Sequence, residues 1–343
     1  EQYRQKIQIN TQMQYSEDKQ QQQNTKPDQF FQQFKNKSVQ NTYRKSEQCI
    51  GWNSTGQLIA TAQNKIRLFK LDRTNFNFDI EKNEQKGHDA STIDNLQWHP
   101  QNPEVLTYIT KQPYLYIWDI RDKNVKKINN IQSENLNVCY SQDGNIIALC
   151  NRDNKLQYYD VRKDDIIYQQ AFEMDINELQ WDPTGSIIII AGSLNGAGTI
   201  RVQDGKNFTK NTNDLLDNIQ SECHSMKILS LAIDPKGKYF ATGSSDTLIG
   251  LWDLDEITMI QTYAQSDSAI KKLSFSFDGQ YLASLSNDKN IFIYNCQQNT
   301  VASTIEKEQP QNNLQWNPNQ YILAYLGDDK VENEGNLKLY GQF

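Results

Sequence analysis

One pattern recurs seven times along this chain and leaves few folds open. Each copy ends a short apolar run in a large side chain, turns through Pro, Asp or Gly, and resumes as a second apolar run. The copies are "WNSTGQLIATA" at Trp52, "WHPQNPEVLTY" at Trp98, "YSQDGNIIALC" at Tyr140, "WDPTGSIIIIA" at Trp181, "IDPKGKYFATG" at Ile233, "FSFDGQYLASL" at Phe275 and "WNPNQYILAYL" at Trp316. The slots are 46, 42, 41, 52, 42 and 41 residues apart. A second half follows each copy: "IRLFK" (Phe69), "LYIWD" (Trp118), "LQYYD" (Tyr159), "IRVQD" (Gln203), "IGLWD" (Trp252), "IFIYN" (Tyr294) and "LKLYG" (Tyr340).

A repeat of about 40–45 residues with four short strands and a Trp-Asp ending is the signature of a WD40 β-propeller. The expected fold is therefore all-β: a seven-bladed WD40 propeller over residues 29–343, preceded by a Gln-rich segment, 1–28, expected to be disordered. Within a blade, strand a alternates apolar residues, and a turn with Pro, Asp or Gly supplies the backbone angles of a hairpin. Strand b is nearly continuous in apolar residues because neighbouring blades cover both its faces. Strand d is outermost and more polar, and "FNFDIEK", "DIIYQQ" and "VASTI" fit it. Blade seven has strands a, b and c but no strand d before the chain stops. We expect "FFQQFKNKSVQN" (30–41) to add there, so that an N-terminal strand closes the ring and leaves no open edge.

Composition narrows the function. With 35 basic and 42 acidic residues the net charge is −7, so no global basic field draws the chain to nucleic acid or an anionic membrane. Five cysteines without a paired spacing point to reduced thiols rather than a disulfide framework. No apolar run approaches the roughly 18 residues of a membrane-spanning helix, and the polar N-terminus lacks the apolar core of a secretory signal. Three histidines lack metal-ligand spacing, and no nucleophile stands beside a base, so no cofactor, metal, small-molecule substrate or enzymatic activity is expected.

Two groups of polar residues stand out. In blade five, Asp246 in the b–c turn is expected to accept from His224 in the d–a loop, with a strand-b hydroxyl, assigned to Ser244, and the Trp252 indole completing the chain. His88 and Trp118 take the same slots in blade two, but Lys111-Gln112 replaces the acid there. These groups read as structural hydrogen bonding rather than as a catalytic dyad. The second group is an acidic rim on the face built from d–a and b–c loops. It comprises Asp89, Glu134, Asp175, Glu222, Asp267, Glu306 and Glu308, with Asp328, Asp329, Glu332 and Glu334 in the last b–c loop. The rim would suit a basic or helical segment of a protein partner and would repel phosphate, leaving RNA at most an indirect contact.

The match extends beyond the general repeat. "WHPQNPEVLTY…LYIWDIR", "DPKGKYFATGSSDTLIGLWDLDE" and "LQWNPNQYILAYLGDDK…EGNLKLYG" resemble the THO complex subunit 3 family, in register from about Ser46 to Gly341. Members of that family are seven-bladed WD-repeat subunits of the THO/TREX assembly, which couples transcription to messenger-RNA packaging and nuclear export. The resemblance implies a nuclear, non-enzymatic scaffold with the large THO subunit as its direct partner. The alternatives are a WD40 scaffold or substrate receptor in an unrelated assembly, and a propeller that binds RNA directly, which would show a basic, aromatic-lined face.

Overall fold

A computed structural model describes residues 28–39, 48–71, 78–80, 85–86, 92–122, 124–129, 131, 133–206, 220–307, 311–327 and 337–342. Its strands form seven antiparallel sheets of four strands each, except that the outer strand of blade one consists of two short pieces, Phe78–Ile80 and Gln85–Lys86. The seven innermost strands are Cys49–Trp52, Ile93–Trp98, Asn135–Tyr140, Asp175–Trp181, Ile228–Ile233, Ile270–Phe275 and Gln311–Trp316. All seven slot residues end these strands, each inner strand contacts the next, and the last contacts the first. The chain is thus a closed seven-bladed WD40 propeller.

The turns show why the repeat punctuates where it does. In blade five, Asp234 accepts at its carboxylate from Lys236 N–H (2.8 Å) and Lys238 N–H (3.1 Å). Gly237 then takes φ +74°, a left-handed conformation that costs glycine little. The hairpin returns as Tyr239–Ser244, buried at every position because a blade lies on each side.

The core is divided among the seven blade-to-blade interfaces, one apolar cluster to each. Ile50, Trp52, Ile59 and Phe69 of blade one meet Ile322, Leu326, Leu337 and Leu339 of blade seven in one such cluster, so the seam is packed like the other interfaces.

The seam is completed as the missing strand requires. Lys35–Ser38 pairs antiparallel with Leu337–Gly341, from Lys35 opposite Gly341 to Ser38 opposite Lys338. The expected strand over 30–41 is too long, however. Gln29–Gln33 is a 3₁₀ turn, capped by the Asp28 side chain, which accepts from Phe30 N–H (3.3 Å). The turn forms because it drives Phe31 into the interface between blades six and seven. Phe31 packs edge-on against Tyr281 (4.8 Å between centroids), and Phe34 meets Tyr340 at 5.3 Å. Asp28 N–H donates to Ala302 carbonyl (2.8 Å), which ties Asp28 to blade six, and the rest of the Gln-rich segment, 1–27, lies outside the described residues. The 52-residue interval after Trp181 also has a location. Strand c of blade four ends at Asp204 and its strand d begins at Gln220, and residues 207–219 between them lie outside the described residues.

Candidate functional site

Blade five holds a continuous chain of polar contacts inside the sheet. His224 is the last residue of the outer strand Gln220–His224 of blade four, rather than part of the loop beyond it. Its Nδ1 lies 3.1 Å from Asp246 Oδ2, and its Nε2 lies 2.9 Å from Thr242 Oγ1. Trp252 Nε1–H donates to the same Thr242 oxygen at 3.0 Å. One proton arrangement satisfies every group: indole to threonine oxygen, threonine hydroxyl to Nε2, and Nδ1–H to the carboxylate. The strand-b hydroxyl in this chain is therefore Thr242. Ser244 instead fixes the neighbouring loop, donating to the Met226 and Lys227 carbonyls (2.9 and 3.0 Å) and accepting from Asp246 N–H (3.1 Å). Gly250 makes the arrangement possible, since a Cβ there would lie 2.9 Å from the indole nitrogen and 3.0 Å from Thr242 Oγ1.

Burial acts to raise the Asp246 carboxyl, but the hydrogen bond from His224, with Leu248 N–H and Ser244, holds it below the ordinary aspartate range. Thr242, His224 and Asp246 have the order of a nucleophilic triad without its access. Thr242 is fully buried, and its oxygen already receives the indole proton. A substrate carbonyl cannot reach it, and the arrangement pins two blades together.

Blade two keeps the tryptophan and loses the chain. The position matching Thr242 is Tyr108, stacked on Tyr116 with centroids 4.9 Å apart and planes within 9°. Trp118 Nε1–H donates instead to the Asp122 carbonyl at 3.0 Å. His88 lies outside the described residues.

The rim is mixed in charge where it is described. Glu134 pairs with Arg152 at 3.0 Å, and Asp175 Oδ1 accepts from Asn154 Nδ2 at 2.9 Å. Asp175 begins an inner strand, while Glu222 and Glu306 belong to outer strands, so only Glu134 and Asp267 of these lie in d–a loops. Lys111, Arg152, Lys227 and Lys289 are exposed on the same face, while Lys307 is buried and donates to the Ser286 carbonyl (2.8 Å). Asp89, Glu308, Asp328, Asp329, Glu332 and Glu334 lie outside the described residues.

A second polar system, which the repeat pattern does not single out, joins blade to blade around the central channel. The residue just before an aromatic slot reaches over and accepts the slot N–H of the next blade. Gln97 takes Tyr140 N–H (2.7 Å), Gln180 takes Ile233 N–H (3.1 Å), Ser274 takes Trp316 N–H (3.0 Å) and Gln315 takes Trp52 N–H (2.8 Å). Inner strands have a free edge on the channel, and these side chains satisfy its donors. The signal was present as three copies of Leu-Gln-Trp, at 96–98, 179–181 and 314–316. Deeper in, Glu178 accepts from Leu231 N–H (2.6 Å) and pairs with Lys272 two blades away, across the wall of a channel cavity of about 510 Å³.

No group of three or more metal-ligating side chains is brought together among the described residues. Burial pushes the Cys139 thiol up to about 11 and the Cys150 and Cys223 thiols up to about 12, so none is a ready thiolate near neutral pH. No helix among the described residues is long and apolar enough to cross a membrane.

Comparison with known proteins agrees with the architecture. The family "WD domain, G-beta repeat" matches residues 217–253 and 257–295, the blade-five network included. "THO complex subunit 3" of Arabidopsis thaliana is 30% identical over 87% of this chain and 93% of its own length. "WD repeat-containing protein AAC3" of Dictyostelium discoideum is 27% identical over 87% of this chain and 65% of its own, and "Protein TEX1" of Saccharomyces cerevisiae is 21% identical over 74% and 63%. On the length and identity of the first match, the chain belongs to the THO complex subunit 3 family of WD-repeat proteins.

Proposed function

We propose that this chain is a non-enzymatic scaffold subunit of a THO-like complex in the nucleus, acting where transcription is coupled to messenger-RNA packaging and export. The observation that carries the reading is the similarity to Arabidopsis THO complex subunit 3 over 93% of that protein's length. The polar clusters support it, because each is consumed in holding blades together and none presents a group to a substrate. The large THO subunit is the partner proposed. Glu222, Asp267 and Glu306 stay exposed and would meet a basic segment of it. RNA is not the primary ligand on this reading, since a net charge of −7 and a rim of mixed sign give phosphate no field to follow.

Affinity purification of the tagged full chain from nuclear extract, read by mass spectrometry, tests the proposal. THO subunits are expected at stoichiometric yield. Recovery of a different assembly without THO subunits would overturn it. Binding of single-stranded RNA by the purified chain below micromolar Kd at physiological salt would overturn the claim about RNA.

A further inference from the structure

Outer strands are the free edges of a propeller, and proteins guard such edges with charge. Six blades of this ring follow that rule. The outer strands carry Lys35 and Lys37, Asp79 and Lys86, Lys126 and Lys127, Asp165, Glu222, or Glu306. Blade five does not. Its outer strand, Thr258–Tyr263, reads "TMIQTY" and has no charged residue. Met259 and Ile260 are 39% and 46% exposed, two of the four large apolar side chains so exposed among the described residues.

The strand emerges from a fixed acidic turn. Asp253 Oδ1 accepts from the N–H groups of Asp255 (3.0 Å) and Glu256 (2.9 Å), and both of those side chains face solvent. An apolar, uncharged edge beginning beside two carboxylates fits one kind of occupant: an extended segment with apolar side chains and a basic residue at the matching end. A second copy of this chain fits poorly. A six-residue strand is about 20 Å long. One strip of that length cannot supply the roughly 1,200–2,000 Å² of a stable pair. The occupant must be held by other contacts as well, as a segment within a larger assembly is.

We propose that the outer edge of blade five accepts an extended segment of a protein partner as an added strand, with a basic side chain of that segment set against Asp255 and Glu256. The inference rests on the scaffold reading above and names the surface that reading leaves open.

Hydrogen exchange of the full chain, alone and with the large THO subunit, tests it. Amides of Thr258–Tyr263 are expected to slow by about tenfold or more on binding, because a new ladder covers them. Met259→Lys with Ile260→Lys is expected to weaken binding by about tenfold or more while the melting temperature stays unchanged, since both positions face solvent. A complex that forms while these amides exchange as in the free chain would overturn this surface and leave the scaffold reading intact. Failure to form any complex would overturn the partner assignment and this surface with it.

Discussion

Blades two and five carry the same visible signature, a Trp-Asp ending on strand c, and solve the interior of the sheet differently. In blade five a small hydroxyl at Thr242 and a bare backbone at Gly250 leave room for an indole, a hydroxyl, an imidazole and a carboxylate in series. In blade two the same two positions hold Tyr108 and Tyr116, which fill the space with stacked rings. The tryptophan therefore does not specify the network. The residues across the strand from it do, and the fold accepts either a satisfied polar chain or an apolar stack because both fill the volume and leave the indole paired.

Changes that attack one solution and spare the other separate the two. The largest effect is expected in blade two. Tyr108→Ala removes a whole stacked ring from a fully buried site and should cost about 3–5 kcal/mol by denaturant unfolding. A cost below about 1 kcal/mol would mean that the stack is not what holds the blade. Thr242→Val in blade five preserves volume and removes the oxygen shared by Trp252 and His224. Two buried donors or acceptors lose their partner, and the expected cost is about 1–3 kcal/mol with partner binding intact.

A smaller effect is expected from pH. The Asp246 carboxyl sits below its ordinary value in the folded state, so the folded chain binds a proton less readily there than the unfolded chain does. Its contribution is complete above the unfolded value near 4 and is lost as pH falls through the folded one. The stability gap between the native chain and Asp246→Asn, of order 1 kcal/mol, should hold steady from pH 7 to 5 and shrink below 4. A gap that widens on acidification would contradict the assignment. Tyr108→Phe should be neutral or slightly stabilising, because the buried Tyr108 hydroxyl has no hydrogen-bond partner among the described residues. A loss above about 1 kcal/mol would reveal a partner for that hydroxyl.

The same contrast shows what could be read from the sequence. The seven slots were legible because apolar period and turn chemistry are local, and the missing outer strand was legible because a ring leaves no blade unfinished. The hydroxyl was misplaced by two residues, since Thr242 and Ser244 lie on the same face of strand b and only the cross-strand register, Thr242 opposite Gly250, separates them. The caps at Gln97, Gln180, Ser274 and Gln315 escaped because each acts on the next repeat, whereas the repeats were aligned one upon another. The rim looked acidic because Arg152 and Asn154, which answer Glu134 and Asp175, come from b–c turns far from them in the chain. Val39, Phe31 and Phe34 gave no periodic signal, being a seam that occurs once.

The closed ring depends on that seam, built from residues that precede the first repeat. Thermal melting of two truncated chains tests it directly. A chain lacking residues 1–27 keeps Asp28, Phe31, Phe34 and the strand Lys35–Ser38, and should melt with the full chain. A chain lacking residues 1–39 loses the outer strand of blade seven and three buried side chains, a cost of several kcal/mol on the scale of about 25 cal/mol per Å². Its midpoint should fall by roughly 5 °C or more. Equal midpoints for the two chains would contradict closure by the N-terminal strand.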